Sequence, residues 1–202
     1  MGAKSAGFDR RFFRRLLIFF FSLLPLALLV WNTLHQQLGA DPAKAIVLFT
    51  GNWAFYFLLL TLTVTPLRRL LGWNWLQTHR RMLGLFALFY ALLHLLSYVM
   101  FILGADLGRF MAELVKRPYI SVGFPALLIL IVLGLTSTQA MMRRLGKRWQ
   151  LLHRFIYLAV VLAWVHVLWQ LRASYQDALI LGVLTFSLLA IRFYWYNQKC
   201  RQ

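Results

Sequence analysis

A chain of 202 residues that is 61% hydrophobic and only 13% charged, with a mean hydropathy of +0.69, is far more apolar than a soluble domain, where roughly half the residues are apolar and a quarter charged. This composition excludes a soluble globular protein and predicts an integral membrane protein. The formal net charge of +17 would suit a nucleic-acid binder, but the positive residues sort by loop instead of forming a stripe on a folded face, which argues against nucleic acid as a partner.

In chain order, "RRFFRR" precedes "LLIFFFSLLPLALLVW". The pair resembles a signal peptide, yet no small-residue cleavage site follows, so the run 16–34 is expected to stay as a signal anchor. Its paired arginines read as topology charges and not as a twin-arginine export signal. Further apolar runs follow at 46–65, 82–103, 119–137, 155–171 and 178–196, each near the length of about 20 residues that a helix needs to cross a hydrocarbon core about 30 Å thick. None shows strand alternation, and backbone groups in lipid must be paired within the segment, so helices are favoured over a barrel. The expectation is one all-α domain over 1–202, a bundle of six transmembrane helices in contact with the lipid bilayer.

The charges orient that bundle. Of the 22 basic residues, 17 fall in the N-terminal tail (Lys4 to Arg15), the second connection (Arg68 to Arg81), the fourth (Arg143 to Arg154) and the C-terminal end (Arg192, Lys199, Arg201). The other side carries Lys44, Arg109, Lys116, Arg117 and Arg172, together with Asp41, Asp106, Glu113 and Asp177. By the positive-inside bias both termini are cytoplasmic. The longest external connection, 104–119, reads as a loop. Cys200 is the only cysteine, which rules out an intrachain disulfide, a cysteine zinc site and covalent C-x-x-C-H haem attachment.

Ionisable residues within a membrane mark functional sites. His94 and His166 fall deep in the third and fifth spans, which run in the same direction, while His79 and His153 start those spans. Two levels result, about 20 Å apart at about 1.5 Å rise per residue. Paired imidazoles on facing helices at two depths form the ligand set of a b-type haem chain, one haem or two. At about 100° per residue the two histidines of the third span are offset by about 60° and those of the fifth by about 140°, so an inner bis-histidine site requires a helix distortion or another ligand. Ser97 is the nearest candidate to orient His94, and Arg80, Arg81, Arg148 and Arg154 inside, or Arg109 and Arg172 outside, are candidates for propionates. His35 reads as a loop residue. The competing readings are histidines that only bridge helices, and a transporter or metal-binding protein that uses them; a midplane carboxylate, which such transporters usually carry, is missing from the predicted spans.

The stretches "HQQLGADP" (35–42), "TVTPLRRL" (63–70), "RRMLGLFALFYALLHLLSY" (80–98), "KRPYISVG" (116–123) and "TSTQAMMRRLGKRWQLLHRFIYL" (136–158) resemble the haem-binding membrane subunits of bacterial periplasmic methionine sulfoxide reductase systems, within the ferric-reductase-like transmembrane superfamily. The resemblance implies a b-haem protein of the bacterial inner membrane. It implies electrons arriving from the quinol pool or a cytosolic flavin reductase and leaving to a periplasmic molybdopterin-containing catalytic subunit. By position it assigns haem to His94, His153 and His166, whereas the family pattern does not require a histidine at His79. It also implies flavin mononucleotide, although no phosphate-cradling glycine loop is present and only the basic loops 66–81 and 143–154 offer charge for it. A self-sufficient reductase would need a flavin and nicotinamide domain, for which a chain ending at Gln202 leaves no room, so a separate donor is expected. The external connections are too short for a sulfoxide-reducing site, which is expected on the partner chain.

Overall fold

The computed structural model describes residues 3–170 and 175–200. Six of its helical stretches are long and apolar enough to cross a membrane: Arg10–Leu34, Pro42–Leu71, Arg80–Ile102, Pro118–Leu135, Lys147–Gln170 and Gln176–Gln198. The elements are α1 (Ala3–Leu34), α2 (Pro42–Leu71), α3 (Arg80–Ser97) prolonged by a π turn over Tyr98–Ile102, α4 (Leu107–Lys116), α5 (Pro118–Leu135), α6 (Gln139–Leu145), α7 (Lys147–Leu152), α8 (Ile156–Gln170) and α9 (Gln176–Cys200). A 3₁₀ turn at Asn74–Thr78 leads into α3 and another at His153–Phe155 joins α7 to α8.

Several helices outrun their apolar segments because caps, and not hydrophobicity, set their ends. Asp41 accepts the Lys44 amide at 3.0 Å and Pro42 opens α2 with a fixed φ, a favourable start. Gly72 closes the same helix at φ 69°, a left-handed C-cap that suits glycine. The stretch 104–119, expected as a loop, contains α4. Asp106 caps it by accepting the Arg109 amide at 3.0 Å, and Phe110 is buried with its ring 5.8 Å from Phe124.

Four helices form a square at the heart of the bundle. α2 packs on α3 and α8, and α5 packs on the same two, so α3 and α8 stand diagonally across the centre. α1 covers the α2–α3 edge and α9 the α2–α8 edge. An aromatic part of the core lies where α1 covers the α2–α3 edge: Phe57 stacks on Tyr90 with ring centres 5.3 Å apart and planes at 9°, and Phe86 lies 5.6 Å from Phe57 and 5.5 Å from Phe19 of α1. Ala87 on α3 and Ala159 on α8 have no exposed surface.

Charge divides the two ends. The Arg14 guanidinium lies over Trp75 at 5.2 Å, Arg69 over Trp195 at 4.6 Å and Arg154 over Tyr196 at 5.8 Å. Both chain ends therefore share the arginine-rich end with the connections after α2 and before α8. At the opposite end Arg109 pairs with Asp106 at 3.3 Å and Arg117 with Glu113.

Three prolines, Pro25, Pro66 and Pro125, lie inside spanning helices, and at Pro25 and Pro66 another helix repairs the backbone. Proline has no N–H and opens the ladder around it. Near Pro25 of α1, the Tyr90 hydroxyl accepts from the Leu26 amide at 3.2 Å and donates to the Ser22 carbonyl at 2.8 Å, joining the two groups that a regular helix would pair with each other. Pro66 of α2 leaves the Leu62 carbonyl without its partner, and Arg192 of α9 donates to it at 2.5 Å. Arg192 also reaches the Thr65 hydroxyl at 3.2 Å and the Tyr157 hydroxyl at 2.9 Å. With no water at this depth to substitute, Tyr90→Phe should strand both α1 groups and cost about 1–3 kcal/mol. Thermal unfolding in detergent should show a clear fall in midpoint, and an unchanged midpoint would refute the repair.

Candidate functional site

His94 of α3 and His166 of α8 meet across the diagonal of the square, with ring centres 6.0 Å apart and planes at 81°. Each ring is anchored to the neighbouring helix. His94 Nδ1 stands 2.8 Å from the Val47 carbonyl of α2, and His166 Nδ1 stands 2.6 Å from the Tyr119 carbonyl of α5. A carbonyl only accepts, so both Nδ1 atoms carry the proton and both Nε2 atoms keep a free lone pair. Both residues are of intermediate exposure.

The two anchors repeat. Val47, Gly51 and His94 recur as Tyr119, Gly123 and His166, each 72 residues later, and the buried Ala87 and Ala159 keep the same offset. The α2–α3 and α5–α8 pairs thus place their histidines by one geometry, although no sequence repeat announces it.

At the arginine-rich end the other two predicted histidines are not brought together. His153 sits in the 3₁₀ turn ahead of α8, stacked on Trp149 at 3.9 Å, with Nδ1 3.2 Å from the Trp149 carbonyl and Nε2 3.4 Å from the Ser137 hydroxyl. Trp149 is itself fixed by donating to the Thr136 carbonyl at 2.9 Å. The 3₁₀ turn is the kind of distortion that the phase of the helix requires between His153 and His166. His79 is buried at the start of α3, edge-on to Trp75 at 5.9 Å. It faces the α1 arginines, and burial first, then Arg15 and Arg14, hold its pKa below the ordinary 6.5.

Other expected residues are placed as follows. Ser97 does not orient His94: its hydroxyl donates to the Leu93 carbonyl of its own helix at 2.7 Å, and the Val47 carbonyl takes that role. Arg109 is engaged with Asp106, and Arg80 lies beside His153, Tyr157 and Arg192. Arg172 lies outside the described residues, as does Arg201. His35 follows α1, exposed and stacked on Trp31 at 4.0 Å. Sequence reasoning missed Gly51, Gly123, Tyr157 and the inward role of Arg192. A glycine four residues beyond a carbonyl on an apolar helix was the only available signal for the first two.

A membrane-spanning helical bundle with a facing histidine pair on diagonal helices is the class that fold and site define. The family described as ferric reductase like transmembrane component matches residues 50–164, a segment that holds His79, His94 and His153 and stops two residues short of His166. The protein-methionine-sulfoxide reductase heme-binding subunit MsrQ of Herminiimonas arsenicoxydans is 45% identical over 186 residues, which cover 91% of this chain and 85% of that protein. No solved structure matches the chain. The chain belongs to the ferric-reductase-like transmembrane family, in its MsrQ branch, and is a multi-pass membrane protein.

A histidine with a lowered folded pKa favours the fold only while it is neutral. The contribution of His79 is complete above its unfolded value near 6.5 and is lost as pH falls through the lowered folded value. His79→Gln, which cannot charge, should flatten the acid-side decline of thermal stability below about pH 6.5; a decline as steep as in the parent chain would contradict the neutral state.

Proposed function

We propose that the chain is a b-type haem electron-transfer subunit of the bacterial inner membrane. It takes electrons from quinol or from a cytosolic flavin reductase and passes them to a periplasmic, molybdopterin-containing methionine sulfoxide reductase that repairs oxidised periplasmic proteins. The arginine-rich end, with both termini, then faces the cytoplasm by the positive-inside bias, and His94 and His166 stand toward the periplasm. The relative in Herminiimonas arsenicoxydans carries heme binding and methionine sulfoxide reduction in its name, which supports both cofactor and partner.

The facing pair His94–His166 carries the reading. An imidazole nitrogen reaches a first-row metal at about 2 Å, which puts the centres of two rings on one metal roughly 6 Å apart, and the pair stands at 6.0 Å. Each Nδ1–H is held by a carbonyl, the arrangement that fixes ring orientation and raises ligand basicity, and each Nε2 is free. α3 and α8 are diagonal to one another, and His94 and His166 would hold the haem from these two helices. Haem iron, once bound there, supplies one-electron exchange between ferric and ferrous states. The protein's part is to hold the two imidazoles, exclude water with the packed middle of the square, and set the potential through the carbonyl bonds.

His153 is proposed to serve a second haem at the arginine-rich end, where Arg80 and Arg192 gather around Tyr157 and offer charge for a propionate. Flavin mononucleotide enters from the resemblance alone, with its phosphate drawn to the basic loops 66–81 and 143–154. Among the described residues no three His, Cys, Asp or Glu side chains stand close enough to hold a metal ion. That favours a group bringing its own equatorial ligands over a bare-ion binder or transporter.

A reduced-minus-oxidised visible spectrum of the detergent-purified protein, with haem counted per chain, tests this. Sharp low-spin b-type bands are expected, abolished for the periplasmic-side site in His94→Ala and His166→Ala, while His153→Ala removes only a second component. A folded protein that stays haem-free when given haem would refute the reading.

A further inference from the structure

The carbonyls that hold His94 and His166 already belong to helix ladders, where Val47 faces the amide of Gly51 and Tyr119 that of Gly123. Each carbonyl also takes the imidazole, which lies against the helix one turn on, and the Val47 carbonyl is shared with the Thr50 hydroxyl at 3.0 Å. At that spot both helices carry glycine. A Cβ at Gly51 would stand 2.9 Å from His94 Nδ1 and 3.0 Å from its Cε1; at Gly123 it would stand 2.5 Å from His166 Nδ1 and 2.9 Å from its Cγ. Real Cβ contacts essentially never come below 3.0 Å. At Gly51 the atoms met are the Nδ1 and Cε1 edge of the His94 ring, and at Gly123 they include Cγ, the atom bonded to the His166 Cβ, so an added methyl displaces the ring from its carbonyl at either position.

We infer that Gly51 and Gly123 are positioning residues for the axial histidines: their bare Cα surfaces admit each imidazole to a carbonyl that is already hydrogen-bonded, and so fix Nε2 as the nitrogen offered to the metal. The inference rests on the haem reading. For the histidines the device occurs twice at one offset of 72 residues. Gly182 admits the Trp164 ring to the Ala178 carbonyl in the same way, a Cβ there standing 2.7 Å from Nε1, so a glycine one turn beyond the accepting carbonyl is how this bundle lets a ring N–H reach a laddered carbonyl. Glycine is otherwise a poor choice inside a helix, where alanine is the better former. Gly84 of α3 shows the contrast, since a Cβ there would meet only the Thr61 side chain at 3.8 Å.

The test compares Gly51→Ala, Gly123→Ala and the control Gly84→Ala in the haem-loaded full chain, reading haem per chain, the electron paramagnetic resonance spectrum and the midpoint potential. Gly123→Ala is expected to lose the low-spin bis-histidine signal, Gly51→Ala to shift its g-values and potential, and Gly84→Ala to match the parent. If the two variants fail to fold, pulsed resonance on the parent protein with ¹⁵N-labelled histidine reads the same feature. The remote nitrogen of both ligands should carry an exchangeable, hydrogen-bonded proton, and its absence overturns the inference. A haem-free parent overturns the reading beneath it, whereas a haem-loaded parent whose Gly51→Ala and Gly123→Ala variants keep spectrum and potential overturns this inference alone.

Discussion

Inside an apolar bundle, a histidine bonded to a backbone carbonyl can hold only one tautomer, and the arrangement of the site depends on that bond. Water is absent there as an alternative partner. The bond to Val47 or Tyr119 therefore decides which nitrogen faces the centre and how far the ring can tilt. Because the accepting carbonyl belongs to a helix, the ring is referenced to a rigid element and not to a loop. Diagonal placement of α3 and α8 completes the constraint: each histidine is held by a helix that packs beside its own, and the two rings are left facing each other.

Between the histidine levels the square is filled. Leu58, Leu62, Ala87, Ala159 and Val160 belong to one buried cluster with Phe57, Phe86 and Tyr90, which pack toward α1, and the cluster lies between the His153 turn and the facing pair. The same packing keeps water from the span between the levels, so charge there meets a low dielectric and fixed dipoles. Tyr90 belongs both to this core and to the repair of α1 near Pro25, so the core and the integrity of an outer helix are coupled through one side chain.

The spans and the pair His94–His166 were legible in the sequence because both signals are strong in lipid: a helix must be long and apolar, and a deep histidine must have a reason. The helix ends were less legible, since Asp41, Gly72 and Asp106 act through cap geometry that hydropathy does not weigh. The connection 104–119 hid α4 for the same reason. Ser97, a side chain one turn from His94, is the nearest candidate the letters offer to orient that ring, because they show side chains and never the spare lone pair of a carbonyl. His79 and His153 shared a depth in the sequence, but depth says nothing of azimuth; the 3₁₀ turn at His153 and the stacking on Trp149 and Trp75 turn them to different neighbours. The repeated anchor escaped notice because it preserves a glycine, a histidine and a small core residue at a constant offset while the residues between them differ.

The link between Arg192 and the Leu62 carbonyl has a consequence for biosynthesis. Helices leave the ribosome in order, and α2 is made long before α9. Until α9 arrives, the turn opened by Pro66 lacks the arginine that occupies the Leu62 carbonyl in the folded chain. The second helix is thus completed by α9, so an early and a late segment of the chain are joined through one arginine.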